Sequence, residues 1–503
     1  MQEIRRGHEK DRPASSGVSF TSETNLRLRK GVGQTYPLSL RDFGDEVIME
    51  KVVLYPSRCA AFGKALAAAL GVPASACTDN IVAEPAGADT VICWDSFPSA
   101  SSEKDPDIKV RVDALIGKHV ILILSQDDTS SAFAQLSLLL WLQRFYVPTP
   151  DEAAAKGKWK GTIGAGSFEV TSVGALTVVI PWFRYCQMER SQRWTYTAGA
   201  EKPWSNAGAS GPFVDVASAH TYAALLSAEP PPPPGPESLE APPPPPPKEI
   251  VFVDIHDDLD GKPIVEQMLS KSGKWANPIV DYDLVHGQGT YFTSAFAHFL
   301  AHTYKSADLG TTFVVFPDGG AYQRFHTMVE ARLKGIAPDH VLYIEKNRVG
   351  TVVKQGGALL YHTPDGGTAT RESLPTGSTI LIPDDFTNSG STLFGGASIV
   401  RKHVQGTCKV GAFVTHFVAK YERAVVDKFV ATLYSEGGVA SDLNEFFTTD
   451  SIVMTTTWLA EEAKKRVAGG QPERVMIAPL APVLAEWLLS RPTPAHAKAM
   501  DIS

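Results

Sequence analysis

Two adjacent carboxylates, Asp384 and Asp385, stand between an apolar run, Thr379-Ile380-Leu381-Ile382-Pro383, and a tract of small polar residues, Thr387-Asn388-Ser389-Gly390-Ser391-Thr392. The apolar run predicts a buried parallel strand, and Ser391-Thr392-Leu393 predicts the start of a helix. A strand that turns sharply into a helix through small residues leaves backbone N–H groups unpaired at the helix N-terminus, where the helix dipole adds positive potential. That end suits a phosphate. Paired aspartates at the strand end suit neighbouring hydroxyls, whose protons they accept. Together they describe a cradle for a phosphorylated sugar such as ribose 5-phosphate. The plainer alternative is an acidic strand-to-helix turn with a Ser/Thr cap.

Three other stretches carry chemistry at strand ends, where open α/β sheets place their ligands. Ile250-Val251-Phe252-Val253-Asp254-Ile255-His256 ends in a histidine, although a lone histidine there is more often structural. Phe316-Pro317-Asp318-Gly319-Gly320-Ala321 repeats the pattern of strand, acid and glycines that allow close approach to the backbone, with Asp318 equally readable as a helix cap. Ile344-Glu345-Lys346-Asn347-Arg348 is a strand end with two cations, a pattern that without context describes solvated charge.

These stretches need a scaffold of alternating strands and helices, which indicates an α/β fold with parallel sheets. Strands are predicted at 119–124, 176–180 and 250–255 in the first half, and at 312–316, 341–344, 379–382 and 411–415 in the second. Each half reads as a doubly wound unit, with a boundary near residues 275 to 290. Residues 149–170, rich in Gly, Ala and Lys, predict an exposed excursion. Pro230 to Pro247 holds two proline runs, stiff polyproline II segments that read as a projecting loop able to dock a partner groove, or as a spacer.

At 503 residues the chain is long enough for two or three domains, and 43% apolar and 20% charged residues are ordinary for a globular protein. A net charge of -8 argues against general nucleic-acid binding. Cys59, Cys77, Cys93, Cys186 and Cys408 show no CxxC spacing, which suggests reduced thiols in an intracellular, cytoplasmic protein. The most apolar stretch, 132–147, is broken by Gln135, Gln143 and Arg144, so it predicts a buried helix rather than a membrane span. The first thirty residues hold more bases than acids but too many acids for an ordinary transit peptide, and read as a disordered tail.

In chain order, Asp254-Ile255-His256, Pro317-Asp318-Gly319-Gly320-Ala321, Glu345-Lys346-Asn347-Arg348, Pro383 to Thr392 and Val414-Thr415-His416 resemble the ribose-phosphate pyrophosphokinases, or phosphoribosyl-pyrophosphate (PRPP) synthetases. Val178-Val179-Ile180-Pro181-Trp182-Phe183 and Trp94-Asp95-Ser96-Phe97-Pro98-Ser99 extend the likeness to roughly residues 50–490, and Glu189-Arg190 brings it nearest to the divergent plant-type branch. The resemblance implies two tandem phosphoribosyltransferase-like domains with parallel sheets flanked by helices. Residues 46–282 would form the ATP side and 283–492 the ribose 5-phosphate side, with tails at 1–45 and 493–503.

It further implies transfer of a pyrophosphoryl group from ATP to ribose 5-phosphate with magnesium, in a homo-oligomer that feeds nucleotide biosynthesis. By the same resemblance His256 and Asp318 would help hold the metal, and Lys346 and Arg348 would be catalytic cations. Asp384 and Asp385 would bind the ribose hydroxyls, Asn388, Ser389, Gly390, Ser391 and Thr392 the phosphate, and Phe97, Ser99, Glu189 and Arg190 ATP. Asn388 stands where an acid is usual, Ser391 where glycine is, and Gln187-Met188 where an Arg-Gln pair is. These departures leave open a non-catalytic regulatory subunit, and the duplicated architecture argues against an ordinary phosphoribosyltransferase.

Overall fold

Runs such as His119-Val120-Ile121-Leu122-Ile123, apolar without alternation, make strands covered on both faces. The structure, a computed structural model, describes residues 49–56, 59–72, 77–78, 82–86, 89–93, 115–126, 132–148, 160–163, 166–184, 194–196, 204–206, 218–228, 245–255, 295–304, 307–349, 352–436 and 440–490. The first sheet contains β1 (Lys51–Leu54), β2 (Cys77–Thr78), β3 (His119–Ile123), β4 (Ala175–Ile180) and β5 (Lys248–Phe252), ordered β5-β4-β3-β1-β2 with every pairing parallel. Helices α1 (Ala60–Ala69), α2 (Ala132–Gln143) and α3 (Ser218–Ser227) interleave with them.

Strand alternation sends Val120, Leu122, Leu176, Val178 and Ile250 into one core with Leu138, Leu139 and Leu142 of α2 and Leu226 of α3. It sends Val53, Ile121, Ile123, Val179 and Val251 into the opposite core with Phe62 and Leu66 of α1.

The second sheet is longer. After α4 (Ala295–Thr303) come β6 (Thr312–Phe316), α5 (Gly319–Arg332), β7 (Val341–Val349), β8 (Val352–His362), β9 (Thr368–Arg371) and β10 (Ser378–Thr387). Then follow α6 (Ser391–His403), β11 (Cys408–Phe417), α7 (Arg423–Leu433), β12 (Glu445–Thr449), α8 (Val453–Ala468), β13 (Val475–Ala478) and α9 (Ala481–Leu489). The order is β9-β8-β7-β6-β10-β11-β12-β13, parallel except for the β7–β8 and β8–β9 pairs. One face packs on α6, α7 and α8 through Leu393, Val400, Phe429 and Leu459, and the other on α4 and α5 through Phe299, Leu300, Phe325 and Val329. The last helix returns to the first sheet, where Leu484, Ala485 and Leu488 of α9 share a core with Phe62 and Leu66.

Small antiparallel ladders decorate the first half: Val82–Ala86 with Asp89–Cys93, and Trp194–Tyr196 with Trp204–Asn206. Lys160–Ile163 and Gly166–Thr171 form a ladder with Phe145–Pro148, so part of the 149–170 excursion is regular sheet. Its Gly- and Lys-rich composition masks the strand signal. Most of the proline segment lies outside the described residues.

The end of β10 makes room for a site. Its pairing with β6 stops at Leu381, whereas its pairing with β11 continues to Thr387. Beyond Leu381 the β6 side of β10 is an edge, which is why Pro383, lacking an N–H, is tolerated in an interior strand. The overhang carries Asp384 and Asp385 past the point where β6 has already turned into α5.

Candidate active site

Each side of the overhang is built by a strand-to-helix turn. On the β6 side, Asp318 has extended backbone (φ -163°) and its carboxylate accepts the Ala321 N–H at 2.9 Å, capping α5. On the β10 side, Gly390 turns the chain into α6 with φ 76°, a left-handed conformation that favours glycine. A Cβ there would also lie 2.5 Å from the Phe429 ring, so space and backbone both require glycine.

The Gly390 N–H donates to Thr387 Oγ1 at 3.1 Å, the Ser389 hydroxyl donates to Ser391 Oγ at 3.1 Å, and α6 begins without a side-chain cap. The first intrahelical bond is that of the Phe394 N–H to the Gly390 carbonyl at 2.9 Å, and the Ser391 N–H donates to Ser389 Oγ at 3.4 Å. Such an end can hold a phosphate.

The acid pair is half anchored by backbone. Asp384 Oδ1 accepts the Asp385 N–H and Asp385 Oδ1 accepts the Phe386 N–H, each at 3.0 Å. Arg324 of α5 faces both: its Nη1 is 3.3 Å from Asp385 Oδ2 and its Nη2 is 3.9 Å from Asp384 Oδ1. Burial and the Asp385 carboxylate push the Asp384 carboxyl well above the usual carboxylate range, with Arg324 pulling the other way and Asp318 adding to the rise.

Behind the pair, His416 is fully buried, and burial lowers it to about 4 against the pull of Asp385. Its Nε2 lies 3.0 Å from the Val253 carbonyl and 3.2 Å from that of Asp254, so Nε2 carries the proton, and Nδ1 lies 2.9 Å from Ser451 Oγ. Asp254, at the end of β5, is held at φ 36° and accepts the Thr415 hydroxyl at 2.7 Å and the Phe296 N–H at 3.3 Å. These bonds join the strand ends of the first sheet to those of the second.

The structure therefore gathers Asp318, Asp384, Asp385 and the tract from Asn388 to Thr392 at neighbouring strand ends. Lys346 and Arg348 stand two residues apart on β7, in register with Gln355 and Val353 of β8, and their side chains lie outside the described residues. A register shift between Ile344 and Lys346 sets this hairpin off from the main sheet. Phe97, Ser99, Glu189, Arg190 and His256 lie outside the described residues.

Arg324 escaped the sequence reading. Its only local signal is its place six residues after Asp318, in the second turn of α5. A hard cation suits the carboxylate oxygens, yet among the described residues no group of three metal-ligating side chains is assembled. Asp318 would thus hold magnesium only together with waters and substrate phosphates, the usual habit of that ion. Among the described residues no helix is long and apolar enough to cross a membrane.

No family model matches the chain. Among curated proteins it is 28% identical over 150 residues to ribose-phosphate pyrophosphokinase 4 of Arabidopsis thaliana, covering 30% of this chain and 36% of that one. It is 29% identical over 142 residues to the chloroplastic ribose-phosphate pyrophosphokinase 3 of the same plant, covering 28% of each. The matched segments span about a third of the length of these relatives. Among solved structures, phosphoribosylpyrophosphate synthetase from Mycobacterium smegmatis superposes with a TM-score of 0.48 at 14% identity, over 88% of this chain and 98% of that one. In sequence, this chain is similar to the plant ribose-phosphate pyrophosphokinases.

Proposed function

We propose that the chain is a ribose-phosphate diphosphokinase, in which the C1 hydroxyl of ribose 5-phosphate attacks the β-phosphorus of ATP. The bond between the α and β phosphates breaks, AMP leaves, the hydroxyl proton is lost and PRPP forms. The observation that carries this reading is the turn from β10 to α6, which sets two carboxylates beside the N-terminus of a helix that opens on Gly390. The carboxylates accept the ribose hydroxyls, and the N-terminal end of α6, with its positive dipole potential, takes the 5-phosphate. Lys346 and Arg348, on the hairpin, would neutralise charge developing on the phosphate oxygens. When bound, magnesium supplies further charge there, held in part by Asp318 and His256.

An assay with ATP, ribose 5-phosphate and magnesium should yield PRPP and AMP in equal amounts. Asp384→Asn and Asp385→Asn should each lower kcat/KM for ribose 5-phosphate about 10- to 100-fold, the usual effect of removing a charged partner from a hydroxyl. No PRPP under varied phosphate and metal concentration would reject the reading.

A second reading, a non-catalytic subunit that regulates a synthetase, draws on Ser391, whose hydroxyl is engaged by Ser389 in the cradle. Co-purification with an active homologue, with Lys346→Ala leaving the mixture's activity unchanged, favours it. We place the activity in the cytoplasm, in a homo-oligomer; cell fractionation that finds the chain in an organelle corrects the location.

A further inference from the structure

We propose that Arg324 is the positioning residue for the sugar: its guanidinium bridges Asp384 and Asp385 and holds both carboxylates in the one arrangement that receives two vicinal hydroxyls. The inference rests on the ribose 5-phosphate reading of the cradle. The Asp318 cap fixes the first turn of α5, which launches Arg324 from the second turn toward the β10 overhang. The guanidinium is 15% exposed, Asp384 16% and Asp385 only 1%, so the contact is largely shielded from water.

Two like charges on consecutive residues repel, and in a shielded place they would splay apart or share a proton. A planar guanidinium 3.3 Å from one carboxylate and 3.9 Å from the other opposes both outcomes, and its fixed fork does so with more directional control than a point charge. The backbone N–H groups of Asp385 and Phe386 fix Oδ1 of each carboxylate, while Arg324 faces the other oxygen of Asp385 at 3.3 Å and the same Oδ1 of Asp384 at 3.9 Å. Charge gives a second reason. Two adjacent carboxylates stand beside a cradle that must admit a dianionic phosphate at the start of α6, and Asp318 adds to their negative potential. Arg324 offsets that repulsion where the sugar lands.

The test compares the full chain with Arg324→Gln and Arg324→Lys. Calorimetry measures binding of ribose 5-phosphate alone, kinetics vary each substrate in turn, and thermal melting checks the fold. R324Q should raise Kd and KM for ribose 5-phosphate about 10- to 100-fold. The KM for ATP should stay within about threefold, the split expected of a group that orients one substrate. R324K should fall between R324Q and the parent, since it keeps the charge and loses the fork.

R324Q binding the sugar as tightly as the parent overturns the role of Arg324, and so does an equal rise in KM for both substrates. Loss of the cooperative melt in both variants also overturns it, because the residue would then be structural. A parent chain that binds no ribose 5-phosphate overturns this inference together with the reading beneath it.

Discussion

Gly390 is the residue on which the phosphate end of the cradle turns. An alanine there must adopt φ near 76° and place a methyl 2.5 Å from Phe429, itself part of the core under α6 and α7. The left-handed backbone costs about 1–2 kcal/mol and the overpacking a similar amount. Gly390→Ala should therefore lower stability by roughly 3 kcal/mol in urea titration, and an unchanged midpoint would show that Phe429 yields freely. His119 offers a second check at this scale. Its Nε2 is 2.7 Å from Thr177 Oγ1, whose hydroxyl donates to Glu249 at 2.6 Å, and burial, with Lys51 adding, lowers its pKa from 6.5 to about 4. The unfolded chain thus binds the proton first as pH falls. The stability is fully present above about pH 6.5 and is lost toward pH 4, by up to about 3 kcal/mol. His119→Gln should shrink the difference in unfolding free energy between pH 7 and 4.5, and an undiminished difference removes His119 as its source. The acid pair and hydroxyl tract were legible in the sequence because they are neighbours along the chain. Arg324 was not, because sixty residues separate it from Asp384 and only the packing of α5 against the overhang brings them together.

At the scale of elements, Asp318 serves two purposes that one substitution can separate. Its carboxylate caps α5 through the Ala321 N–H and also adds negative potential at Asp384. Asparagine caps a helix about as well as aspartate, whereas alanine does not. Asp318→Asn should leave stability within about 0.5 kcal/mol of the parent, while Asp318→Ala should lose about 1 kcal/mol. Both should raise the magnesium concentration needed for half-maximal activity, if the charge is what meets the metal. A D318N chain with unaltered magnesium dependence would reduce Asp318 to a cap. The buried strands could be read from the sequence because parallel strands are continuous apolar runs, and β6 spans the expected Thr312–Phe316. The hairpin of β7 and β8 was less legible: its shift in register falls at Gly356-Gly357, where no side chain signals a strand.

The whole molecule depends on a joint between strand ends that no local pattern announces. The same holds for α9, whose apolar face fits either sheet on periodicity alone but packs beside α1. At the joint the Thr415 hydroxyl reaches Asp254, and His416 reaches the carbonyls of Val253 and Asp254. Trp182 covers His416 at 4.5 Å and Phe386 at 5.8 Å, and its indole N–H donates to the Tyr421 hydroxyl at 2.5 Å. Arg184 lies 4.0 Å over the Tyr421 ring. Phe386 follows the acid pair directly, so the joint and the cradle share a strand end. Thr415→Val leaves the buried Asp254 carboxylate short of a donor, a loss of about 1–3 kcal/mol. Trp182→Ala opens a cavity over His416 and should lose about 3–5 kcal/mol. Because both act on the seat of His416, their effects should fail to add by at least about 0.5 kcal/mol in a double-mutant cycle. Calorimetry of the parent should show one transition, since the first sheet's core already includes Val418, just after β11, and Ile452, just before α8. Additive losses together with two separate transitions would mean that the sheets fold independently, and the joint would then have no part in aligning the cradle.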